Sequence, residues 1–248
     1  MFQAVLIGLI YGLSGIGALY GFMCGLGFST LTWALLVGLV MGDVPGAMVI
    51  GASLQLMYLG IIAPGGNAPQ DPTVATLVST TLVLATGAPL ETAVALAIPL
   101  GLLGAQLLIL IRTVNIVWVH MADRYAAKGN IKGIYLAGLL YPTLFKLPLR
   151  WIPVTLATYF GPTYIELLLD MMPEAVINGL TVVGGMMPAV GFAMVVSVIG
   201  RRNLLPFFAA GFFFIIYSGI TTMALAIAGL ILAYLTIMFT NRNKSEVA

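Results

Sequence analysis

Long apolar stretches without a charged residue dominate the chain. Four of them cover residues 1–42, 92–111, 175–200 and 203–241. Each stretch reaches or exceeds the ~20 residues that a helix needs to cross the hydrocarbon core of a bilayer. The pattern therefore predicts several transmembrane helices.

Glycine and proline divide these stretches into shorter helical segments. The predicted helices cover residues 5–22, 31–40, 47–62, 74–84, 93–111, 134–145, 152–160, 164–172, 175–183, 190–199, 204–216 and 220–240. Many of them are too short to cross a membrane alone. Short apolar helices broken by Gly and Pro are typical of discontinuous and re-entrant elements. We therefore predict an all-α polytopic membrane protein with multiple transmembrane helices and re-entrant hairpins, forming one domain over residues 1–248.

The composition agrees with this class. Of the 248 residues, 61% are hydrophobic and 7% are charged, and the mean hydropathy is +1.10. Soluble proteins contain about 25% charged residues. The N-terminal segment MFQAVLIGLIYGL has no basic lead and no clear cleavage site, so we expect it to be a retained first helix. Cys24 is the only cysteine, which excludes a disulfide within this chain.

Basic residues cluster in a few connections, which the positive-inside rule places on the cytoplasmic side. These residues are Arg112, Arg124, Lys128 and Lys132 in one connection, Arg201 and Arg202 in another, and Arg242 and Lys244 at the end. The rule does not readily place Lys146 and Arg150. Residues 112–132 alternate apolar and charged positions, as a helix at the membrane interface does. This segment either anchors the neighbouring spans or docks a soluble partner.

One polar stretch, IIAPGGNAPQDPTV (residues 61–74), interrupts the apolar pattern. It offers Asn67, Gln70 and Asp71, and its three prolines free backbone groups from hydrogen bonding. Gln55 lies in the apolar segment before it, on one helical face with Tyr58. Amides and a carboxylate, with no cation nearby in the sequence, suit a neutral polyhydroxylated ligand. Alternatively, Asn67 and Asp71 cap the turn and the next helix, and both roles can coexist.

Three further patterns are present along the chain. Gly-Gly-x-x-Pro occurs at residues 65–69 and 184–188, once in each half, as expected of two related transporter halves. The alternative is that these glycines only permit close helix packing. Asp43 is expected to cap a helix that begins near Pro45. Glu166, Asp170 and Glu174 form an acidic stripe, which is either a solvated face or a ligand site.

Several function classes lack their motifs. The sequence contains no Walker motif, no Cys/His metal cluster and no Gly-x-Ser-x-Gly elbow. We therefore expect no cofactor, no metal and no covalent catalysis by this chain. It also lacks the large basic patch of a nucleic-acid binder.

Two long motifs resemble one family. Residues 38–72, GLVMGDVPGAMVIGASLQLMYLGIIAPGGNAPQDP, resemble the signature of the IIC membrane component of the mannose/fructose/sorbose class of the bacterial phosphotransferase system (PTS). Residues 177–196, INGLTVVGGMMPAVGFAMVV, resemble the second conserved stretch of that family. The two motifs occur in the family's order, and the resemblance covers nearly the whole chain.

The resemblance implies a sugar permease subunit in the bacterial cytoplasmic membrane. It implies a membrane partner, IID, soluble IIA and IIB proteins that carry phosphohistidines, and a multimer of IIC–IID pairs. The phosphoryl donor would then lie on another chain, so the permease itself is not an enzyme. Gln55, Asn67 and Asp71 match the polar positions of the family and are the sugar-binding candidates. Gln70 is also a candidate, although it stands where the family commonly has proline.

For the mechanism, we expect two broken-helix loops to meet near the membrane midplane and to close a sugar site. A rigid-body shift of this module would expose the site alternately to either side. A channel with re-entrant loops is the first alternative, although Met186 and Met187 stand where the second asparagine of an aquaporin-type pore is needed. An ion-coupled transporter or an intramembrane enzyme is the second, and it would need a deep acidic site.

Overall fold

The computed structural model describes residues 1–16, 29–59, 61, 69–171, 173–200 and 204–245. Over these residues the chain is helical and contains no strand. The helices are α1 (Phe2–Ser14), α2 (Thr30–Met41), α3 (Val44–Tyr58), α4 (Pro72–Thr86), α5 (Leu90–Ala127), α6 (Ile131–Tyr135), α7 (Tyr141–Met171), α8 (Glu174–Ile199), α9 (Leu205–Ser218) and α10 (Thr222–Ser245). A π-helical turn, Leu136–Leu140, joins α6 to α7. The predicted all-α class is confirmed.

Local sequence signals set several helix ends. The Asp43 carboxylate accepts a hydrogen bond from the Gly46 N–H at 2.9 Å, with a proline in the first turn of α3. The predicted cap is confirmed. Gly42 and Gly87 end α2 and α4 with φ angles of +85° and +67°, a left-handed conformation that glycine adopts without a steric penalty.

Contacts divide the chain into two compact units, Met1–Val195 and Val196–Ala248. In the second unit, α9 and α10 expose many large apolar side chains, as helices in contact with lipid do. Gly211 of α9 faces Leu225 of α10. The single domain over residues 1–248 stays a prediction.

In the first unit, α4 is the central helix. Its residues from Val74 to Val83 are all buried. An apolar cluster on one side joins α4 to α1, α2 and α7, and includes Ile7, Val37, Leu77 and Val154. A second cluster joins α4 to α3 and α5, and includes Leu54, Ala75 and Val94. Helix α4, which begins within the polar stretch, is therefore packed against five other helices.

Helix α5 is longer than a membrane span. Its 38 residues correspond to about 57 Å of helix, against a hydrocarbon core of about 30 Å. Among the described residues it is the one helix that is both long and apolar enough to cross a bilayer by itself. Residues 112–127 continue α5 without a break, so the helix end expected at residue 111 is wrong, and the interfacial position expected for residues 112–132 stays a prediction. The chain turns only after Lys128, where Asn130 caps α6.

Three predicted helix breaks are absent. Helix α7 runs through Pro148, Pro153 and Pro162, so the interruptions expected at residues 146–150 and 161–163 are wrong. Helix α8 is continuous through residues 184–188, so the second Gly-Gly-x-x-Pro forms no loop. A proline removes one N–H donor, and membrane helices tolerate this where neighbouring groups satisfy the freed carbonyl. The first Gly-Gly-x-x-Pro falls mostly outside the described residues, so its re-entrant loop and the relation between the halves stay predictions.

Glycines bring α1 and α7 into close contact. A Cβ atom at Gly12 would lie 3.2 Å from the Trp151 Cβ. A Cβ atom at Gly8 would overlap the Thr155 hydroxyl and lie 2.8 Å from the Trp151 carbonyl oxygen. The Trp151 indole N–H donates to the Val5 carbonyl at 3.2 Å. Small residues on one face let two membrane helices approach closely, and these contacts fix α1 along α7.

This packing predicts a specific effect of Gly8→Ala. We expect the added methyl group to destabilise the protein by about 1–3 kcal/mol, because neither the Trp151 backbone nor the Thr155 side chain has room to yield. Thermal unfolding in detergent, followed by circular dichroism, measures the change. Gly229→Ala in α10 is the control, since a Cβ atom there meets nothing within 4 Å. An equal effect of the two substitutions would contradict the close α1–α7 contact.

Candidate functional site

Asp71 is the N-cap of α4. One carboxylate oxygen, Oδ1, accepts hydrogen bonds from the N–H groups of Thr73 at 2.9 Å and Val74 at 3.4 Å. The capping role that the sequence allowed for Asp71 is confirmed. The residue is only 4% exposed, although a carboxylate is rarely buried without partners. The second carboxylate oxygen, Oδ2, therefore needs a hydrogen-bond partner of its own.

Tyr11 of α1 supplies the main second partner. Its hydroxyl donates to Oδ2 of Asp71 at 2.9 Å, and both groups are buried. The Asp71 backbone N–H donates to the Gly101 carbonyl of α5 at 2.9 Å. Asp71 is thus bonded to α1, α4 and α5 at once.

Glycines of α5 make room for this arrangement. A Cβ atom at Gly104 would lie 2.8 Å from the Cβ atoms of both Asp71 and Val74. Gly101 lies near the middle of the uncharged stretch 92–111, about 14 Å along the helix axis from either end. Asp71 therefore contacts α5 near the middle of the uncharged stretch of that helix.

A second buried tyrosine lies on the other side of Gly101. The Tyr58 hydroxyl donates to the Ala97 carbonyl at 2.9 Å. The same hydroxyl would be 3.0 Å from a Cβ atom at Gly101. Tyr11 from α1 and Tyr58 from α3 therefore bring phenol groups to the same part of α5.

Gln55 is used as a helix cap across the fold. Its amide oxygen accepts hydrogen bonds from the Thr30 N–H at 2.8 Å, the Thr30 hydroxyl at 2.6 Å and the Ser29 hydroxyl at 3.2 Å. These donors lie at the start of α2. The amide nitrogen of Gln55 has no hydrogen-bond partner among the described residues. It is the group that this half-buried side chain can offer to a ligand.

Of the other two candidates, Gln70 is among the described residues and Asn67 is not. The Gln70 side chain is half-buried, and its Cβ atom packs against the backbone of Gly101. Asn67 lies outside the described residues. Gln70 and Asp71 thus both pack against α5. Gln55 lies on α3, one turn before Tyr58.

The second motif meets the first through a helix contact. Gly191 of α8 is buried, and a Cβ atom there would overlap the carbonyl oxygen of Leu56, next to Gln55. The expectation of two broken-helix loops that face each other is wrong, because α8 is continuous in this region. The two motifs instead meet where a glycine of one helix packs on the backbone of another.

Sequence reasoning missed Tyr11 and Arg150. The Arg150 guanidinium of α7 lies over the Tyr11 ring, with Cζ 4.1 Å from the ring centroid. The polar stretch has no cation near it along the sequence. In the folded chain, however, Arg150 lies close to it, so the expectation of a site without a cation is wrong. A basic residue between apolar segments was an available signal for Arg150, since ionisable groups in membrane helices are usually functional. Tyr11 carried no comparable signal.

The family match covers most of the chain. The family model described as "PTS system sorbose-specific IIC component" matches residues 1–235. The chain belongs to this family of sugar permease components. The resemblance of the two motifs is confirmed. Among the described residues no group of three or more His, Cys, Asp or Glu side chains is arranged to hold a metal ion.

Curated relatives of this IIC chain come from several bacteria. The PTS system mannose-specific EIIC component of Escherichia coli (strain K12) is 35% identical over 207 residues, 83% of this chain and 77% of the relative. The PTS system sorbose-specific EIIC component of Lacticaseibacillus casei is 33% identical over 215 residues, 84% and 77% of the two chains. The fructose permease IIC component of Bacillus subtilis (strain 168) is 30% identical over 233 residues, 94% and 86%.

Two solved structures are similar to this IIC chain. One, titled "Structure of membrane protein", has a TM-score of 0.81 and 31% identity and covers 96% of both chains. The other, "CryoEM Structure of Mannose Transporter ManYZ and Microcin E492 (MceA) complex", has a TM-score of 0.57 and 32% identity, covering 96% of this chain and 95% of that one. The predicted membrane-permease class is confirmed.

The double role of Asp71 predicts that Asp71→Ala is more destabilising than a cap loss alone. Removing a cap costs about 0.5–2 kcal/mol, and leaving the buried Tyr11 hydroxyl without its acceptor adds about 1–3 kcal/mol. Asp43→Ala, which removes an exposed cap of similar geometry, is the matched control. Asp71→Asn should lose less stability than Asp71→Ala, because asparagine also caps and accepts hydrogen bonds. Thermal unfolding of the purified variants measures these differences, and equal losses for the two alanine variants would be contrary to the buried Tyr11–Asp71 bond.

Proposed function

We propose that this IIC chain binds a neutral sugar at the level of Asp71, near the middle of the membrane, and passes it to the cytoplasmic side. The observation that carries the proposal is the bond between the Asp71 N–H and the Gly101 carbonyl, halfway along the uncharged stretch of α5. A strongly polar group at this depth is costly unless it has a function or a partner.

The groups at this level suit hydroxyl-rich ligands. A carboxylate offers about four lone-pair sites, and the three hydrogen bonds to Asp71 use three of them. Asp71 can therefore accept a sugar hydroxyl without losing its cap. Gln55 offers its amide nitrogen, and Gln70 and Asn67 offer both donors and acceptors.

Phosphorylation gives transport its direction in this proposal. A neutral sugar needs no counter-charge in the membrane. Phosphorylation adds about −1.5 to −2 charges, which disfavour return through an apolar path. The phosphoryl donor is a soluble IIB protein, which is itself phosphorylated by IIA. This chain is not phosphorylated in the reaction.

The relatives support the partners and the location that we propose. A similar structure is titled as the mannose transporter ManYZ, which supports a second membrane subunit of IID type. We propose that IIC–IID pairs form a multimer in the bacterial cytoplasmic membrane. The whole of residues 1–248 then acts as one membrane domain, which moves against its partner to expose the site alternately.

The sugar belongs to the class named for the relatives, which comprises mannose, fructose, sorbose and N-acetylgalactosamine. Gln70 stands where the family commonly has proline, so we propose that it adjusts the preference among these sugars. Family membership does not favour the ion-coupled transporter or channel that the sequence also allowed.

Uptake of radiolabelled mannose, fructose, sorbose, N-acetylgalactosamine and galactosamine tests the proposal, in cells that also express the neighbouring IIA, IIB and IID proteins. We expect Asn67→Ala and Gln55→Ala to lower the accumulated sugar phosphate about tenfold or more, as the loss of one or two buried hydrogen bonds does. Asp71→Asn should raise the apparent KM, because it weakens one acceptor and retains the cap. Membrane insertion and phospho-IIB formation should be unchanged.

Two control variants separate binding from capping. Gln55→Glu retains the oxygen that caps α2 and loses the amide nitrogen. Asp43→Asn alters an exposed cap far along α3 from Gln55. Unchanged uptake in the Gln55, Asn67 and Asp71 variants would show that these residues only cap the helices and turns, and would refute the proposed site.

A further inference from the structure

Arg150 places a positive charge close to the level of Asp71. It lies in α7, is half-buried, and its Nε atom is buried without a hydrogen-bond partner within the described chain. An arginine at the centre of a membrane helix costs about 2.5–3.5 kcal/mol on insertion scales. Such a residue requires a partner that offsets its charge.

The end of α1 holds the guanidinium in place. Tyr11 presents its ring face, with the Arg150 Cζ 4.1 Å from the centroid. Gly15, one helical turn further on, leaves space for the same side chain, because a Cβ atom there would lie 2.8 Å from the Arg150 Cδ and overlap its guanidinium. The aromatic face attracts the cation, and the glycine lets it approach.

The hydroxyl group of Tyr11 binds the carboxylate of Asp71. Its hydroxyl donates to Asp71 Oδ2 at 2.9 Å. Arg150 and Asp71 therefore contact one ring, the cation on the face and the anion at the hydroxyl. No direct ion pair joins them within 4.0 Å in the described part of the chain. The cation is thus one aromatic ring away from a buried anion, whose charge water screens only weakly.

We infer that Arg150 and Tyr11 are positioning residues that hold Asp71 and balance its charge. Arg150 offsets the cost of the carboxylate at mid-membrane depth, and Tyr11 fixes the direction of Oδ2. Asp71, Tyr11 and Arg150 together then carry no net charge, which suits a path for neutral sugars. The role of these residues in transport rests on the proposed function, whereas the charge balance itself does not.

A double-mutant cycle tests the charge balance. Arg150→Gln leaves the Asp71 carboxylate without its offsetting charge, whereas the same substitution together with Asp71→Asn leaves no charge to offset. Asparagine retains the cap and the acceptor for Tyr11. We expect Arg150→Gln to lower the thermal unfolding temperature in detergent clearly in the native background and little in the Asp71→Asn background. Sugar-phosphate accumulation should follow the same pattern: Arg150→Gln should lower it about tenfold in the native background and cause little further loss in the Asp71→Asn background, where the apparent KM is already raised.

Conservative and distant variants sharpen the test. Arg150→Lys keeps the charge and should retain more uptake than Arg150→Gln. Tyr11→Phe removes only the hydroxyl and should raise the apparent KM for sugar more than it lowers the maximal rate. Arg124→Gln neutralises an exposed arginine near the end of α5, and its effect should be the same in both backgrounds.

The possible results distinguish the charge balance between Arg150 and Asp71 from the proposed transport function. Equal losses from Arg150→Gln in both backgrounds would overturn the inference, because a residue needed only for packing does not depend on the Asp71 charge. Coupling in the unfolding temperature, in a chain that accumulates none of the sugars, would support the charge balance and overturn the proposed function. Coupling in both measurements supports both.

Discussion

A carboxylate buried in a membrane protein must have its hydrogen-bonding capacity and its charge satisfied by neighbouring groups. Asp71 meets this constraint through α1, α4, α5 and α7 together. The first turn of α4 and the Tyr11 hydroxyl occupy its two oxygens, and Arg150 lies on the other side of the same ring. Close approach of these helices requires glycine at Gly101 and Gly104 of α5. The constraint thus explains the glycine pattern of the helices around Asp71.

The two sequence motifs of the family have different physical roles in this arrangement. The first motif supplies the polar groups, including Gln55 and Asp71, and each of these also caps a helix. The second motif lies in a continuous helix, and its Gly191 packs on the carbonyl of Leu56. The glycine-rich second motif therefore marks a close helix contact and not a loop. The backbone around Gln55 is fixed by this contact.

The sequence predicted features that depend on local chemistry. Apolar stretches indicated membrane helices, and the Asp-x-Pro order at Asp43 indicated a cap, because both effects act within a few residues. The breaks expected in α7 and α8 were wrong, since membrane helices tolerate an internal proline where neighbouring groups satisfy the freed carbonyl, and the local sequence does not show these neighbours. The association of Tyr11 and Arg150 with Asp71 could not be predicted, because it joins residues 60 or more positions apart and depends on how α1 packs on α7.

The most direct test is a cryo-electron microscopy map of this chain in its membrane complex with a transported sugar bound. We expect density for the sugar at the level of Gly101, with a hydroxyl about 2.5–3.2 Å from the Asp71 carboxylate and the Tyr11–Asp71 hydrogen bond intact. Sugar bound at another depth, with Asp71 enclosed only by protein groups, would show that the carboxylate serves the fold alone and would contradict the proposed site.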